Sequence, residues 1–365
     1  MDPVCKNTYL WQVDEESPDP ETIRQAGLIL RRGGLVAFPT ETVYGLGANA
    51  LDAEAVKSVF TAKGRPQDNP LIVHVADIET VYEYTGCVPQ KARSLMEKFW
   101  PGPLTLILAG NGKITGPVSA GLPTLAFRMP DHPVALALIR EAGVPVAAPS
   151  ANVSGRPSPT TAEHVIYDLQ GKIDAVLDGG SAGMGVESTV LDVTGRIPVI
   201  LRPGGVTMEQ ISRVIGPVER DASLEAHGDI PSRPRSPGMK YRHYAPSAPL
   251  VLVEGSPSGV VLEIKRLARE YALQGKRVGV LCRWENCGQY QGVTTVTAGR
   301  YCDNASVAAE LYDALRRFET TGVDIILAEG VEDRGIGMAV ANRLRRAAGG
   351  RVIKVENPES RGQNP

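Results

Sequence analysis

The hydrophobic pattern of this chain switches repeatedly between a helical and an extended period. Ile23, Ala26 and Leu30 recur on one helical face. Asp19 stands where a cap belongs, Pro20 suits the first helical position, and Gly33-Gly34 ends the run. Leu35–Phe38 then reads as a short buried strand closed by Pro39. A second helix is predicted over Ala53–Lys63, capped by Asp52, burying Val56, Val59 and Phe60, and stopped by Gly64. Pro70–Val75 reads as the next strand. Further strands are predicted at Leu104–Leu108, Thr124–Arg128, Val144–Ala148, Ala175–Leu177, Thr189–Val193 and Val199–Leu201. Helices are predicted at Gln90–Phe99, His132–Glu141, Thr161–Leu169 and Met208–Val214. The elements interleave without strict alternation. That predicts an α/β fold on a mixed, twisted sheet rather than a regular doubly wound one.

The texture changes at Pro217. Six prolines punctuate the stretch to Pro249 (positions 217, 231, 234, 237, 246 and 249), and small and charged residues fill the gaps. It reads as a linker, extended rather than packed. Its segment Ser236–Pro246 sets Tyr241, His243 and Tyr244 among Lys240 and Arg242. An inert spacer has little use for those side chains, so the segment is expected to touch ligand. After Pro249 a regular pattern begins. Leu250–Val253, Val278–Leu281, Asp324–Ala328 and Arg351–Val355 read as strands, and Val260–Leu273, Val307–Phe318 and Met338–Ala348 as helices. This predicts a smaller, Rossmann-like α/β domain with a mostly parallel sheet. The expected boundaries are 15–216 for the first domain, 217–249 for the linker, 250–356 for the second domain and 357–365 for a tail.

Composition narrows the function. In 365 residues, 39 basic against 41 acidic side chains give a formal net charge of -2, and aromatics are 5%. Neither supports a protein held on nucleic acid by bulk charge or by base stacking. Five cysteines contain no C-x-x-C, and no other spacing suggests a metal site, so no protein-held metal and a reducing compartment are expected. Met1–Val13 has no apolar stretch of the signal-peptide kind, and the apolar runs are strand-length. The expectation is a cytoplasmic protein with no membrane contact.

The chemistry concentrates at element ends. Lys63-Gly64-Arg65 closes a helix, and Pro149–Gly155 (PSANVSG) is a polar loop after an apolar strand. Cations and loop hydroxyls, amides and N–H groups suit a polyphosphate. No G-x-x-x-x-G-K-[ST] occurs, so a nucleotide here is held by something other than a P-loop. Lys63 also has a purely structural reading, as a helix-dipole partner worth about 0.3–1 kcal/mol. Pro39–Gly47 (PTETVYGLG) places two hydroxyls and a carboxylate where a strand meets a glycine turn. Gly45-x-Gly47-x-x-Ala50 fits a dinucleotide fingerprint only weakly, because no acidic residue closes a second strand downstream. His74, Arg128 and Arg202 are further basic residues at strand boundaries; His74 is equally readable as a core histidine. No Ser-His-Asp or paired-carboxylate spacing competes with them. A site of this kind binds a small anion and a nucleotide together, and lets an oxygen attack the α-phosphate and expel pyrophosphate.

These segments, with Phe99–Thr105 (FWPGPLT) and Glu187–Val190 (ESTV), resemble the YrdC-like fold in order and spacing. The whole chain resembles the long, two-domain form of the L-threonylcarbamoyladenylate synthase family. The resemblance implies that L-threonine, bicarbonate and ATP give threonylcarbamoyl-AMP and pyrophosphate, with Mg2+ accompanying ATP. A separate tRNA threonylcarbamoyl transferase system then modifies the adenosine beside the anticodon, so contact with tRNA is indirect. The family's K-x-R and S-x-N signature falls on Lys63, Arg65, Ser150 and Asn152, with Lys63 and Arg65 expected to be catalytic. The resemblance further implies ATP contacts at Asn69, Thr124, Ser158, Arg202 and His243 or Tyr244. It implies threonine contacts at Thr40 or Thr42, His74, Arg128, Ala148 and Ser188. The linker is then expected to act as a lid that keeps water from labile intermediates. The Gly335–Leu344 motif is typical of the long form, with no role attached. An alternative reading is an RNA-binding module on the same fold, without catalysis. A carbamoyl transferase of the hydrogenase-maturation kind would need acylphosphatase and zinc-finger regions, which are not visible.

Overall fold

The computed structural model describes residues 6–114, 116–224, 234–236 and 244–355. The chain forms two compact units: Met1–Ser154 with Ser158–Tyr241, and Gly155–Pro157 with Arg242–Pro365.

The first unit begins with β1 (Tyr9–Gln12), α1 (Pro20–Arg31), β2 (Val36–Phe38), β3 (Gly45–Asn49) and α2 (Ala53–Lys63). It continues with β4 (Ile72–His74), α3 (Glu79–Tyr84), α4 (Gln90–Phe99), β5 (Leu104–Ala109) and α5 (Gly116–Ser119). Next come β6 (Thr124–Arg128), α6 (Pro133–Ala142), β7 (Val146–Ala147), α7 (Ala162–Leu169) and β8 (Ala175–Asp178). It closes with β9 (Thr189–Asp192), β10 (Val199–Arg202), α8 (Met208–Ile215) and β11 (Glu219–Arg220). The strands form one 11-stranded sheet in the order β1-β8-β2-β3-β7-β4-β6-β5-β9-β10-β11. Parallel and antiparallel junctions are mixed, as the interleaved pattern predicts.

Local chemistry explains the helices. The Asp19 carboxylate accepts from the Thr22 N–H, and Asp52 from those of Glu54 and Ala55, so both capping residues work as read. Ile23, Ala26 and Leu30 of α1 and Val134, Leu138 and Ile139 of α6 share one core with Val36, Phe38 and Leu177. A second core takes Val56 and Phe60 of α2, Leu95 and Met96 of α4, and Val165 of α7 against Ala37, Leu46, Val73, Phe127 and Leu191. Alternate strand residues thus feed different cores.

Two expectations need correction. The glycine turn at Gly45–Gly47 is strand β3, with Gly47 opposite Val36 in an antiparallel pair. A Cβ on Gly47 would lie 2.9 Å from both the Phe38 ring and Val146 Cγ1, so the glycine permits close packing and cradles no phosphate. The described part of the linker is also packed rather than extended. Val218 joins the core, Glu219–Arg220 pair parallel with Val199–Ile200, and Ser236 is fully buried. Arg235 bridges Asp192 at 3.1 Å and Asp221 at 2.6 Å.

The second unit contains β12 (Leu250–Gly255), α9 (Pro257–Leu273), β13 (Val278–Cys282), β14 (Thr294–Thr297) and α10 (Asn304–Arg317). It ends with β15 (Ile325–Glu329), α11 (Gly337–Ala348) and β16 (Val352–Val355). The pairings of its strands are parallel, in the order β14-β13-β15-β12-β16, which is the Rossmann-like arrangement expected. Val251, Ile264, Val280 and Leu327 form its core. At the carboxyl ends of β13 and β15, buried Glu329 accepts from Arg283 N (2.9 Å), Asn286 Nδ2 (2.8 Å) and Tyr290 Oη (2.6 Å). Burial, with Glu329 nearby, pushes the Cys282 thiol up to about 12. That thiol is inert at neutral pH. No described helix is long and apolar enough to cross a membrane.

Candidate active site

Strand register assembles the polar residues of the first unit. β4 and β6 run parallel with His74 opposite Arg128. β5 lies antiparallel to β6 with Leu106 opposite Phe127, which puts Thr105 beside Arg128. Thr105 pairs with Val190 of β9, and Val190 with Arg202 of β10. His74, Arg128, Thr105 and Arg202 therefore lie in one line across the sheet, and Ser188 immediately precedes β9. All five are buried. Ser188 Oγ lies 2.7 Å from Thr105 Oγ1. Arg202 donates to Ser188 twice, from Nε to the carbonyl and from Nη2 to Oγ, both at 3.1 Å. Gly204 makes that contact possible: a Cβ there would sit 2.3 Å from the Ser188 carbonyl carbon. Ala148 is fixed on the other flank, donating its N–H to Ile72 O at 2.9 Å.

His74 is neutral. Burial, with the Arg128 charge added, pushes its pKa down to about 3. Its Nδ1 is 3.2 Å from Ile72 O.

The loop after β2 closes over this line. Thr40 Oγ1 donates to Val43 O at 2.6 Å and accepts from the N–H groups of Thr42 and Val43 at 3.2 Å. Its one proton is thereby committed, so the 2.9 Å contact between the two threonine hydroxyls is donated by Thr42. Main-chain bonds from Met184 N to Glu41 O (2.8 Å) and Gly185 N to Thr42 O (3.1 Å) fix the loop. Between the threonines, Glu41 reaches Arg128, with Oε2 2.6 Å from Nη2.

Lys63 and its loop form a second cluster. The Lys63 ammonium is buried and donates to Ser150 O at 2.5 Å and Asn152 O at 2.6 Å. Two of its three N–H groups thus hold the S-x-N loop in shape. Arg65 Nη2 donates to the carbonyls of Asn69 and Pro70 at 3.3 Å, and its guanidinium lies over the Phe60 ring. Gly45 bridges to Ser150, which ties this loop to β3. Ser158 Oγ donates to Glu187 Oε1 at 2.6 Å, and both residues are buried.

The remaining positions separate. Thr124 begins β6 while Arg128 ends it, so the two sit at opposite ends of one strand. Tyr244 belongs to the second unit, buried, stacked on Tyr312 at 5.4 Å and beneath the Arg343 guanidinium at 5.3 Å. The structure thus gives the Gly335–Leu344 motif a contact that the sequence could not: it holds Tyr244. His243, with Tyr241, lies outside the described residues. Sequence reasoning passed over Glu41, Thr105 and Glu187. All three sat inside quoted motifs, but their partners are distant in the chain.

Comparison with known proteins decides the family. Residues 28–204 match the family model described as "Telomere recombination", and residues 206–349 match "Threonylcarbamoyl-AMP synthase, C-terminal domain". Threonylcarbamoyl-AMP synthase of Bacillus subtilis is 55% identical over 350 residues, 96% of this chain and 99% of that one. The chain belongs to the threonylcarbamoyl-AMP synthase family. The family consists of nucleotidyl-transferring enzymes of tRNA modification. The crystal structure of Pyrococcus abyssi Sua5 complexed with L-threonine superposes with a TM-score of 0.91 at 48% identity, covering 95% of this chain and 100% of that one. Escherichia coli YciO covers 53% of this chain and 95% of its own, at a TM-score of 0.50 and 26% identity.

No group of three or more His, Cys, Asp or Glu able to hold a metal ion occurs among the described residues. Glu41 is charge-paired with Arg128, and Glu187 accepts from Ser158. These residues do not form a cage for a resident divalent ion.

Proposed function

We propose that this protein condenses L-threonine, bicarbonate and ATP into threonylcarbamoyl-AMP and pyrophosphate, the product passing to a separate tRNA-modifying system. The reading rests on one observation above all. Arg128, Ser188 and Arg202 converge across adjacent strands beside neutral His74, as an amino acid next to phosphates requires. Full-length likeness to a protein crystallised with L-threonine supports it.

In this reading Arg128 takes the threonine carboxylate and neutral His74 meets the hydroxyl end without adding charge. The threonine ammonium gives up a proton to solvent, and the free amine then adds to the carbon of bicarbonate and water leaves, giving the carbamate. A carbamate oxygen then attacks the α-phosphate, and pyrophosphate departs with the electron pair of the broken P–O bond. Arg202 and the loop held by Lys63 stabilise the charge spreading over phosphate oxygens. Mg2+ enters as the counter-ion of ATP, carried by phosphate oxygens, and belongs to the substrate. Thr124 and Ser158 are proposed to flank the nucleotide. The cytoplasm is the proposed compartment.

The test is pyrophosphate release from ATP. It is expected to depend on both threonine and bicarbonate. Lys63→Ala and Arg65→Ala are each expected to cost about 2–4 kcal/mol in transition-state stabilisation. Release that ignores threonine would refute the reaction.

A further inference from the structure

Glu41 has a carboxylate whose surroundings do not explain it. It lies in the loop after β2, half-buried with both carboxylate oxygens out of solvent, and its Oε2 lies 2.6 Å from Arg128 Nη2. Yet both of its oxygens, and Nε and Nη2 of Arg128, are buried without a hydrogen bond among the described residues. The two charges approach closely at an angle that aligns no N–H with a lone pair. The loop does not need this side chain, because the N–H groups of Thr42 and Val43 are satisfied by Thr40 Oγ1. A buried ion pair is favourable only when further hydrogen bonds complete both partners. This one leaves four polar atoms unsatisfied.

We propose that Glu41 holds the α-ammonium of the substrate while Arg128 holds its carboxylate. The inference deepens the reading above and rests on it. An α-amino acid carries its two charges on neighbouring atoms. It therefore fits a guanidinium and a carboxylate standing side by side and supplies what each lacks. The ammonium donates to the empty lone pairs of Glu41, and the carboxylate accepts from the Arg128 fork. Before binding, the pair neutralises itself, so neither charge is buried alone. Main-chain bonds at Glu41 and Thr42 keep the carboxylate in register. Glu41 is then a recognition residue that selects amino acids over hydroxy acids and other simple carboxylates. An acid without the amine would leave Glu41 unsatisfied and set its charge against the ligand's own.

The experiment is titration calorimetry on the full chain with two probes: L-threonine and (R)-3-hydroxybutyrate, which keeps the carboxylate and hydroxyl but lacks the amine. The wild type is expected to prefer threonine. Glu41→Gln is expected to weaken threonine binding roughly 10- to 100-fold, the scale of a charged hydrogen bond. Its affinity for 3-hydroxybutyrate is expected to hold or rise. Glu41→Asp keeps the charge and is expected to keep the preference, and serves alone if the Gln variant does not fold. Equal loss of both ligands in Glu41→Gln would make Glu41 only the counter-ion of Arg128 and overturn the proposal. A wild type that binds the two probes equally would overturn it as well, as would loss of the preference in Glu41→Asp. A wild type that binds no threonine would instead sink the underlying reaction, a distinguishable result.

Discussion

The two units each hold a glutamate with buried carboxylate oxygens at the end of a strand or just past one, and they treat it in opposite ways. Glu329 in the second unit is saturated, with two donors on Oε1 and a backbone N–H on Oε2. Glu41 in the first unit has a charge partner and no hydrogen bond among the described residues. Burial alone therefore says little about function. A completed network fixes a fold, whereas an incomplete one is poised for something that arrives later.

The sharpest way to break this contrast is to remove the saturated carboxylate. Glu329→Ala strands Asn286, Tyr290 and the Arg283 N–H in the interior. It is expected to cost about 3–5 kcal/mol of stability. Hydrogen exchange at the amides of β13 and β15 is expected to accelerate most. Unchanged protection there would show that the network carries no load. A smaller effect, about 1–3 kcal/mol, is expected from Gly204→Ala, because the new methyl meets the Glu187–Thr189 backbone head-on. Urea melts measure the loss. A weaker affinity for threonine is expected with it, since Ser188 must shift.

The last effect is one of pH, and it is gradual because it is spread over several pH units. The folded-state pKa of His74, about 3, lies below its ordinary 6.5. On acidification the unfolded chain takes up this proton first. The stability conferred by neutral His74 is complete above about pH 6.5 and drains away as pH falls towards 3. The slope is about 1 kcal/mol per pH unit. His74→Asn is expected to flatten that limb of the stability curve. An unchanged slope would show that the ring is solvated after all.

What the sequence revealed, and what it hid, follows the same division between local and distant causes. The caps Asp19 and Asp52 act on neighbours two or three residues away, so helices α1 and α2 could be read directly. Strand β3 could not. Its residues, Gly-Leu-Gly-Ala-Asn, lack the β-branched signature, and small size serves packing under Phe38. The linker was misjudged because its prolines are local, whereas the partners of Val218 and Arg235 are not. Arg128 was found as a cation at a strand end, but its ion-pair partner Glu41 lies several elements earlier in the chain. The row from His74 to Arg202 exists only once the strand order is known.

That order bears on how the chain is made. β2 is flanked by β3, which follows at once, and by β8, which comes far later, and β1 pairs with β8 alone. During synthesis one edge of β2 stays open until Ala175–Asp178 has left the ribosome. The nascent chain thus carries an unsealed hydrogen-bonding margin for much of its translation, an invitation to misassembly that slower elongation would prolong.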